Sequence, residues 1–326
     1  MKHYPVMLPE VLSALGPQEG EVYVDGTFGN GGYSERFLKA ANCNVIGLDR
    51  DPNVAPRAGE LSAQYEGRFK LIKTPFSKMD EVGLDLVDAV ILDIGVSSMQ
   101  LDQAERGFSF MRSGPLDMRM GDMGPTAADA VKCLSHNDLI RVFQVYGEER
   151  RARRAADFII RARDEEAIVT TEQLADIIEK ALGRSGKLHP ATRVFQALRI
   201  FVNDELGELY RGLCAAEAIL KPGGRLIVVT FHSLEDRIVK SFLRRRAGEI
   251  VGGSRYAPEV INEGPEASFA QGKRSVIKPS KTEVAENPRS RSAKLRFAIR
   301  SDAPVFPSDD ELLPNVVHVS ALEGAA

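Results

Sequence analysis

Three carboxylates and a cluster of glycines are the residues of this chain best suited to holding a ligand: Asp25, Asp49 and Asp93, with Gly26, Gly29, Gly31 and Gly32. Asp25 ends the apolar run Val22-Tyr23-Val24 and opens directly on the glycines. Asp49 ends Val45-Ile46-Gly47-Leu48, and Asp93 ends the run that starts at Val87. A buried strand, a glycine turn, a helix and an acidic residue about 20 positions further on form the nucleotide-site signature of doubly wound α/β folds. Glycine lets main chain approach a ligand closely, and an ionised carboxylate at the second strand accepts hydrogen bonds from both hydroxyls of a ribose.

A dinucleotide seats its pyrophosphate on a helix N-terminus through G-x-G-x-x-G, and the run from Asp25 to Gly32 fits that spacing poorly. It resembles instead the D-x-x-x-G-x-G-G turn of S-adenosylmethionine-dependent methyltransferases. That resemblance implies main chain against the methionine end of the cofactor, Asp25 near its ammonium group and Asp49 on its ribose.

The elements that must position these residues are legible as short apolar runs ending in polar or glycine residues: Val22 to Asp25, Val45 to Asp49, Phe69 to Lys73, Val87 to Asp93 and Arg225 to Phe231. They predict five strands of a Rossmann-like parallel sheet, with helices from Ser34 to Ala41 and from Pro52 to Gln64. More than a hundred residues separate the fourth strand from the fifth, where a βαβ unit needs only about 30. An inserted domain is therefore expected, and its pattern is helical: Thr126 with Asp129, Ser135 with Asp138 and Thr170 with Gln173 read as N-caps, Gly147 and Gly183 as stops. Pro190 suits the first turn of a helix running to about Asn203, and Glu205 to Leu220 reads as the crossover back to the sheet. The expected division is a discontinuous core of residues 1–102 and 205–300, a helical insertion of 103–204 concerned with RNA recognition, and a disordered tail of 301–326. Gly248 to Pro279 is rich in glycine, proline and polar residues and reads as mobile, and the alternation of Ala293, Leu295, Phe297 and Ile299 with basic residues predicts a late antiparallel strand.

With 326 residues, 43% of them hydrophobic, the chain has enough apolar material for one large domain and a smaller one. Cys43, Cys133 and Cys214 lack C-x-x-C spacing, no apolar run approaches membrane-span length and no signal peptide is visible, so a soluble, cytoplasmic protein is expected. No Cys, His or carboxylate set has the spacing of a metal site. The net charge of -3 argues against non-specific coating of nucleic acid, but basic patches stand out at Arg150 to Arg154, at Arg244 to Arg246 and from Lys273 to Arg300. Each reads either as an RNA contact or as a solvated face, with Glu149 and Arg153 suited to an i,i+4 pair.

Ligands of open α/β sheets bind beyond the carboxyl ends of the strands. There the chain reads Leu92-Asp93-Ile94-Gly95-Val96-Ser97-Ser98-Met99-Gln100, then Arg106-Gly107-Phe108-Ser109-Phe110, Pro115-Leu116-Asp117-Met118-Arg119, Tyr146-Gly147-Glu148-Glu149-Arg150, His189-Pro190-Ala191-Thr192-Arg193 and Thr230-Phe231-His232-Ser233-Leu234-Glu235-Asp236. With His3-Tyr4-Pro5 and Asn287-Pro288-Arg289-Ser290-Arg291, these segments closely resemble the bacterial small-subunit rRNA cytosine-N4 methyltransferases, the RsmH/MraW family, over about Lys2 to Arg300. The resemblance implies a class I methyltransferase fold with an inserted helical domain. It further implies transfer of the methyl group of S-adenosylmethionine to the exocyclic amine of one cytidine in the decoding region of 16S rRNA, within the small ribosomal subunit, without a metal. By motif position the cofactor would contact Gly31, Gly32, Tyr33, Asp49, Phe76, Asp93 and Gln100, beside Asp25 and Gly29 of the turn. At Tyr33 the family often has His, which leaves a main-chain contact expected there and no side-chain role.

These residue types suit the chemistry. Phe76 is placed to stack on adenine, worth about 1–3 kcal/mol for a base on an aromatic ring, or to be a core residue. Cytosine's amino lone pair is delocalised into the ring, so a methylating site must hold the nitrogen in line and accept hydrogen bonds from its protons. Asp93 is assigned that orientation, assisted by Ser97 or Ser98, which otherwise only cap a turn. His232 faces the substrate or is merely the neighbour of a helix cap made by Ser233 with Asp236; His3 and His189 have less support. Arg106, Arg119, Arg193, Arg289 and Arg291 are candidate RNA contacts, although Arg106 and Asp117 equally suit an internal salt bridge. Three alternatives differ in class. A nicotinamide-dependent oxidoreductase requires a pyrophosphate turn, a non-catalytic RNA binder predicts loss of Asp49 or the glycines, and a DNA cytosine-N4 methyltransferase requires S-P-P-Y where Asp93-Ile94-Gly95-Val96 stands.

Overall fold

The computed structural model describes residues 5–184, 188–248, 265–271, 276–307 and 310–322. His3 and much of the stretch from Gly248 to Pro279, with Lys273 and Arg274, lie outside them. The helices are α1 Leu8–Leu15, α2 Gly32–Ala40, α3 Ala55–Gln64, α4 Ser98–Asp102, α5 Ala127–Cys133 and α6 His136–Val145, followed by α7 Ala152–Glu165, α8 Thr171–Leu182, α9 Ala191–Val202, α10 Glu205–Ile219, α11 Ser233–Arg246 and α12 Lys281–Glu286. The strands are β1 Val22–Asp25, β2 Asn44–Asp49, β3 Phe69–Lys73, β4 Val87–Asp93, β5 Leu220–Thr230, β6 Phe269–Gln271 and β7 Lys294–Arg300. No helix of the described residues is long and apolar enough to cross a membrane. The chain forms two compact units, residues 1–95 with 207–313 and residues 96–206 with 314–326.

The first unit is built on a sheet of order β3-β2-β1-β4-β5-β7-β6. β1 to β5 are parallel, because crossover helices return the chain to the same edge, and β7 runs antiparallel to both β5 and β6. The central strands carry continuous apolar runs because both faces are covered there: Val90, Ile91 and Leu92 of β4 and Leu226 to Val229 of β5 are fully buried. From β1 the chain moves outward to β2 and β3, then returns to the other side of β1 as β4. The strand order therefore reverses between β1 and β4, and the crevice at their carboxyl ends is where such a sheet binds its ligand.

Some expectations change. β6 lies in the segment read as mobile, and its Phe269 is fully buried. β7 forms as expected, but its alternation breaks: Ile299 is 41% exposed while Arg296 and Arg300 are 8% and 7%. These arginines are tolerated inside because Asp236 accepts from Arg296 Nε at 2.7 Å and the carbonyl of Glu217 from Arg300 Nε at 3.1 Å. The terminal stretch expected to be disordered is described as far as Leu322 apart from residues 308–309, and Ala303 and Leu322 are buried.

In the second unit the three sequence-read caps start α5, α6 and α8: Thr126, Ser135 and Thr170 accept from the backbone N–H of Asp129, Asp138 and Gln173. Each such cap contributes about 1 kcal/mol. α9 ends where Asn203 turns back, accepting from the Met120 N–H and donating to the Met118 carbonyl, both at 2.7 Å. Arg199 and Glu205 close that corner with paired hydrogen bonds of 2.7 and 2.8 Å. Glu149 does not pair with Arg153; it accepts from the Arg151 backbone N–H at 2.9 Å and lies 3.8 Å from Arg193.

Candidate active site and its family

At the carboxyl end of β1 the Asp25 carboxylate is fully buried and accepts the Ser34 hydroxyl at 2.7 Å and the Thr27 N–H at 3.4 Å. Gly31 caps α2 with a φ of 67°, and a Cβ there would meet Leu61 and Phe28 at 2.8 Å, so only glycine closes the turn this tightly. Asp49, at the end of β2, accepts the Gly29 N–H on Oδ2 and the Asp51 N–H on Oδ1, each at 2.8 Å. The second acid of the signature thus shapes the glycine turn as well as facing it, and each oxygen retains a lone pair for a further donor.

Tyr33 is buried, and its hydroxyl donates to the Val6 carbonyl. The side chain is thus engaged within the protein. Phe76 opens a single 3₁₀ turn after β3 and is half-buried against Gly212 of α10, where a Cβ would fall 2.3 Å from its ring. Packing fixes the ring, so the core reading accounts for part of its surface.

Asp93 ends β4. Its backbone N–H donates to the Thr27 hydroxyl at 2.7 Å, while its Oδ1 is buried with no hydrogen-bond partner among the described residues. Burial pushes this carboxyl well above its ordinary range, and the charges of Asp25 and Glu235 act in the same direction. A buried carboxylate oxygen left without a donor is costly, on the order of 1–3 kcal/mol or more, and calls for a ligand that supplies one. β5 runs beside β4, with Val229 in register with Asp93, and delivers Phe231 and His232 to the same edge.

The cap of α11 is His232, not Ser233. Its Nδ1 accepts the Glu235 N–H at 3.4 Å, the Glu235 carboxylate accepts the N–H groups of Phe231 and His232 at 2.7 and 3.1 Å, and His232 Nε2 lies 2.9 Å from Glu235 Oε1. Asp236 is taken instead by Lys294 and Arg296.

In the second unit Ser97 and Gln100 serve each other, Ser97 N–H donating to Gln100 Oε1 at 3.0 Å and Gln100 N–H to Ser97 Oγ at 3.2 Å, so Ser97 acts as a cap. Ser98 begins α4, and its side chain lies outside the described residues. Arg106 donates to the carbonyls of Arg119 and Met120, each at 3.0 Å, and Asp117 takes Arg119 in a bidentate pair at 2.9 and 2.7 Å. Asp117 makes its internal salt bridge with Arg119, because the fork of Arg119, two residues on, reaches both carboxylate oxygens. Arg193 is half-exposed beside Glu149. Arg289 and Arg291, in the first unit, are exposed in the 3₁₀ turn Pro288–Ser292.

The model of the MraW methylase family matches residues 1–301. The chain belongs to that family. It is 58% identical to Ribosomal RNA small subunit methyltransferase H of Maricaulis maris, over 99% of this chain and 98% of that one. The proteins of the same name from Caulobacter vibrioides and Hyphomonas neptunium are 57% and 54% identical, over 93% and 92% of this chain and 97% and 89% of theirs.

As an MraW methylase the protein has a class I methyltransferase sheet and takes S-adenosylmethionine as its cofactor. Its residues fit that group. Asp25, Asp49 and Asp93 form no ion pair with a cation among the described residues, so the crevice carries uncompensated negative charge wherever these acids are ionised. It would repel a pyrophosphate and attract a ligand carrying a sulfonium and an ammonium.

The same charge makes stability depend on pH. Burial raises the Asp25 carboxyl from 3.8 to about 6. The native state then binds a proton that the unfolded chain has lost, so this group's contribution falls as pH rises from about 4 to about 6. Two pK units correspond to about 3 kcal/mol. Asp25→Asn, which does not ionise, should gain on the wild type by an amount on that order between pH 4 and pH 7 in urea unfolding of the cofactor-free protein. A difference independent of pH would show that Asp25 is not held against its charge.

Thr27 and Glu235 escaped the sequence reading. The signal for Glu235 is present, an acid three residues after a polar residue at a helix start, but Ser233 with Asp236 offers a competing cap at the same place in the sequence.

Proposed function

We propose that this protein transfers the methyl group of S-adenosylmethionine to the exocyclic N4 amine of one cytidine in the decoding region of 16S rRNA. The relatives at 54–58% identity, each named for small-subunit ribosomal RNA, support the substrate class. The observation that carries the chemistry is the unpartnered Asp93 Oδ1 at the reversal point of the sheet. An amine must present its nitrogen to an electrophile while its protons are held, and a fixed carboxylate oxygen does this without a strong base.

Bound there, the cofactor supplies an activated methyl group. Asp49 accepts from the ribose hydroxyls, Asp25 sits near the ammonium, the main chain from Gly29 to Tyr33 lines the methionine end and Phe76 offers its ring to adenine. Asp93 accepts an N–H of the target cytosine, which must be unstacked to reach it. Methylation makes the amine strongly acidic, so its proton is lost readily afterwards. His232, held by Glu235, borders the same strand ends, and Arg289 and Arg291 offer exposed charge to RNA.

The test is to incubate the protein with labelled cofactor and small ribosomal subunits lacking the modification, then map the product nucleoside. N4-methylcytidine at a single 16S position is expected. Label on tRNA, DNA or protein, or on another atom of the base, overturns the reading.

A further inference from the structure

Most of the arginines that stand out in the sequence are occupied. In the basic run Arg244 to Arg246, Arg246 is buried 3.1 Å from Glu217 and Arg245 reaches Glu311 at 2.9 Å. Near the end of the last basic stretch Lys294 and Arg296 share Asp236, and Arg300 is spent on carbonyls. Arg106 and Arg119 tie together the chain around Asp117. The stretch from Arg150 along α7 is different. Arg150, Arg153, Arg154 and Arg161 are exposed, and among the described residues none of the four has an ion pair or a side-chain hydrogen bond. Arg154 rests over the ring of Phe158 at 5.8 Å, a contact that orients the guanidinium without neutralising it.

Helix stability does not account for this placement. The macrodipole favours acids in the first turn and bases in the last. α7 has no acid in its first turn and carries Arg153 and Arg154 there, while Asp164 and Glu165 stand exposed at its end. Packing does not account for it either, because the buried face of α7 is Ala152, Ala155, Ala156 and Ile159. Arg154 and Arg161, seven residues apart, share one face over about 10 Å of helix. Asp157, on the same side, is held 2.6 Å from His136.

We propose that Arg150, Arg153, Arg154 and Arg161 form the surface that grips the phosphate backbone of the substrate RNA. The inference rests on the methylation of ribosomal RNA proposed above. Four unpaired guanidiniums complement a run of phosphates, which they bind by displacing condensed counterions. Sequence is not read there: phosphate contacts position the RNA, and base contacts elsewhere select the cytidine.

The test compares the full-length protein with the variant R150Q/R153Q/R154Q/R161Q and with the corresponding all-lysine variant. Affinity for isolated 16S rRNA is measured by filter binding between 50 and 200 mM salt, cofactor affinity by calorimetry. The glutamine variant should bind RNA about 10- to 100-fold more weakly, with a salt slope flatter by about 3 if each contact contributes about 0.7. Its cofactor affinity should match the wild type, and the lysine variant should recover most of the RNA binding because point charges suffice for phosphate. Unchanged affinity and slope in the glutamine variant overturn the proposal, as does a lysine variant as weak as the glutamine one. A wild-type protein that binds 16S rRNA through this face yet transfers no methyl group to small ribosomal subunits lacking the modification would overturn the substrate reading and leave the surface standing.

Discussion

Asp49→Ala lowers affinity for S-adenosylmethionine by about 10²- to 10⁴-fold. Hydrogen bonds to a charged partner are worth about 1.5–3 kcal/mol each, and a ribose diol offers two to one carboxylate. The substitution also frees the Gly29 and Asp51 N–H groups that Asp49 now accepts, so the turn bordering the methionine end loses its tether. Asp49→Asn separates the two effects, since one amide oxygen still accepts from a backbone N–H but accepts from the diol less strongly. The Asn variant should lie between wild type and Ala. Calorimetric titration of cofactor measures the loss, and thermal unfolding checks that the β2 end remains folded. Wild-type affinity in the Ala variant would remove Asp49 from the site.

The legibility of the sequence followed the physics of each element. The five parallel strands were readable because a strand segment covered on both faces must be an apolar run, as Ala89 to Leu92 of β4 and Leu226 to Val229 of β5 are. The caps at Thr126, Ser135 and Thr170 were readable because an N-cap is a local signal, complete within four residues, and at Thr126 and Thr170 the full capping box is present. β6 was not, because a three-residue edge strand next to glycine- and proline-rich sequence has no period of its own; its place is decided by pairing with β7, about 30 residues away. The inward arginines of β7 were misread for the same reason, since their partners lie in α11 and at the end of α10. At the site, the acids and glycines could be named from spacing. That Asp93 lacks a partner while Arg119 has one depends on three-dimensional neighbours and could not be read from sequence.

The largest effect on turnover falls on Asp93. Asp93→Ala should reduce kcat by about 10²- to 10³-fold, the range observed when a single oriented hydrogen-bonding group is removed from a reacting centre, with cofactor binding affected less than in Asp49→Ala. The pH profile tests the role more sharply. Asp93 is held well above the usual carboxylate range by burial first and by the negative charges of Asp25 and Glu235 second, and Tyr33 is also close enough to feel its charge. Only the ionised form offers both oxygens to an amine, so activity should rise with pH as Asp93 loses its proton, and that acid limb should lie well above pH 4. Glu235→Gln removes one of the two charges that oppose ionisation, lowers the Asp93 pKa and shifts the limb to lower pH; the amide oxygen still accepts the Phe231 and His232 N–H groups that cap α11. A role limited to capping would leave the limb where it was. Steady-state rates from pH 5 to 9 at saturating cofactor decide between these outcomes. An acid limb that persists unchanged in Asp93→Asn would assign it to another group and end the case for Asp93 as the residue that holds the amine.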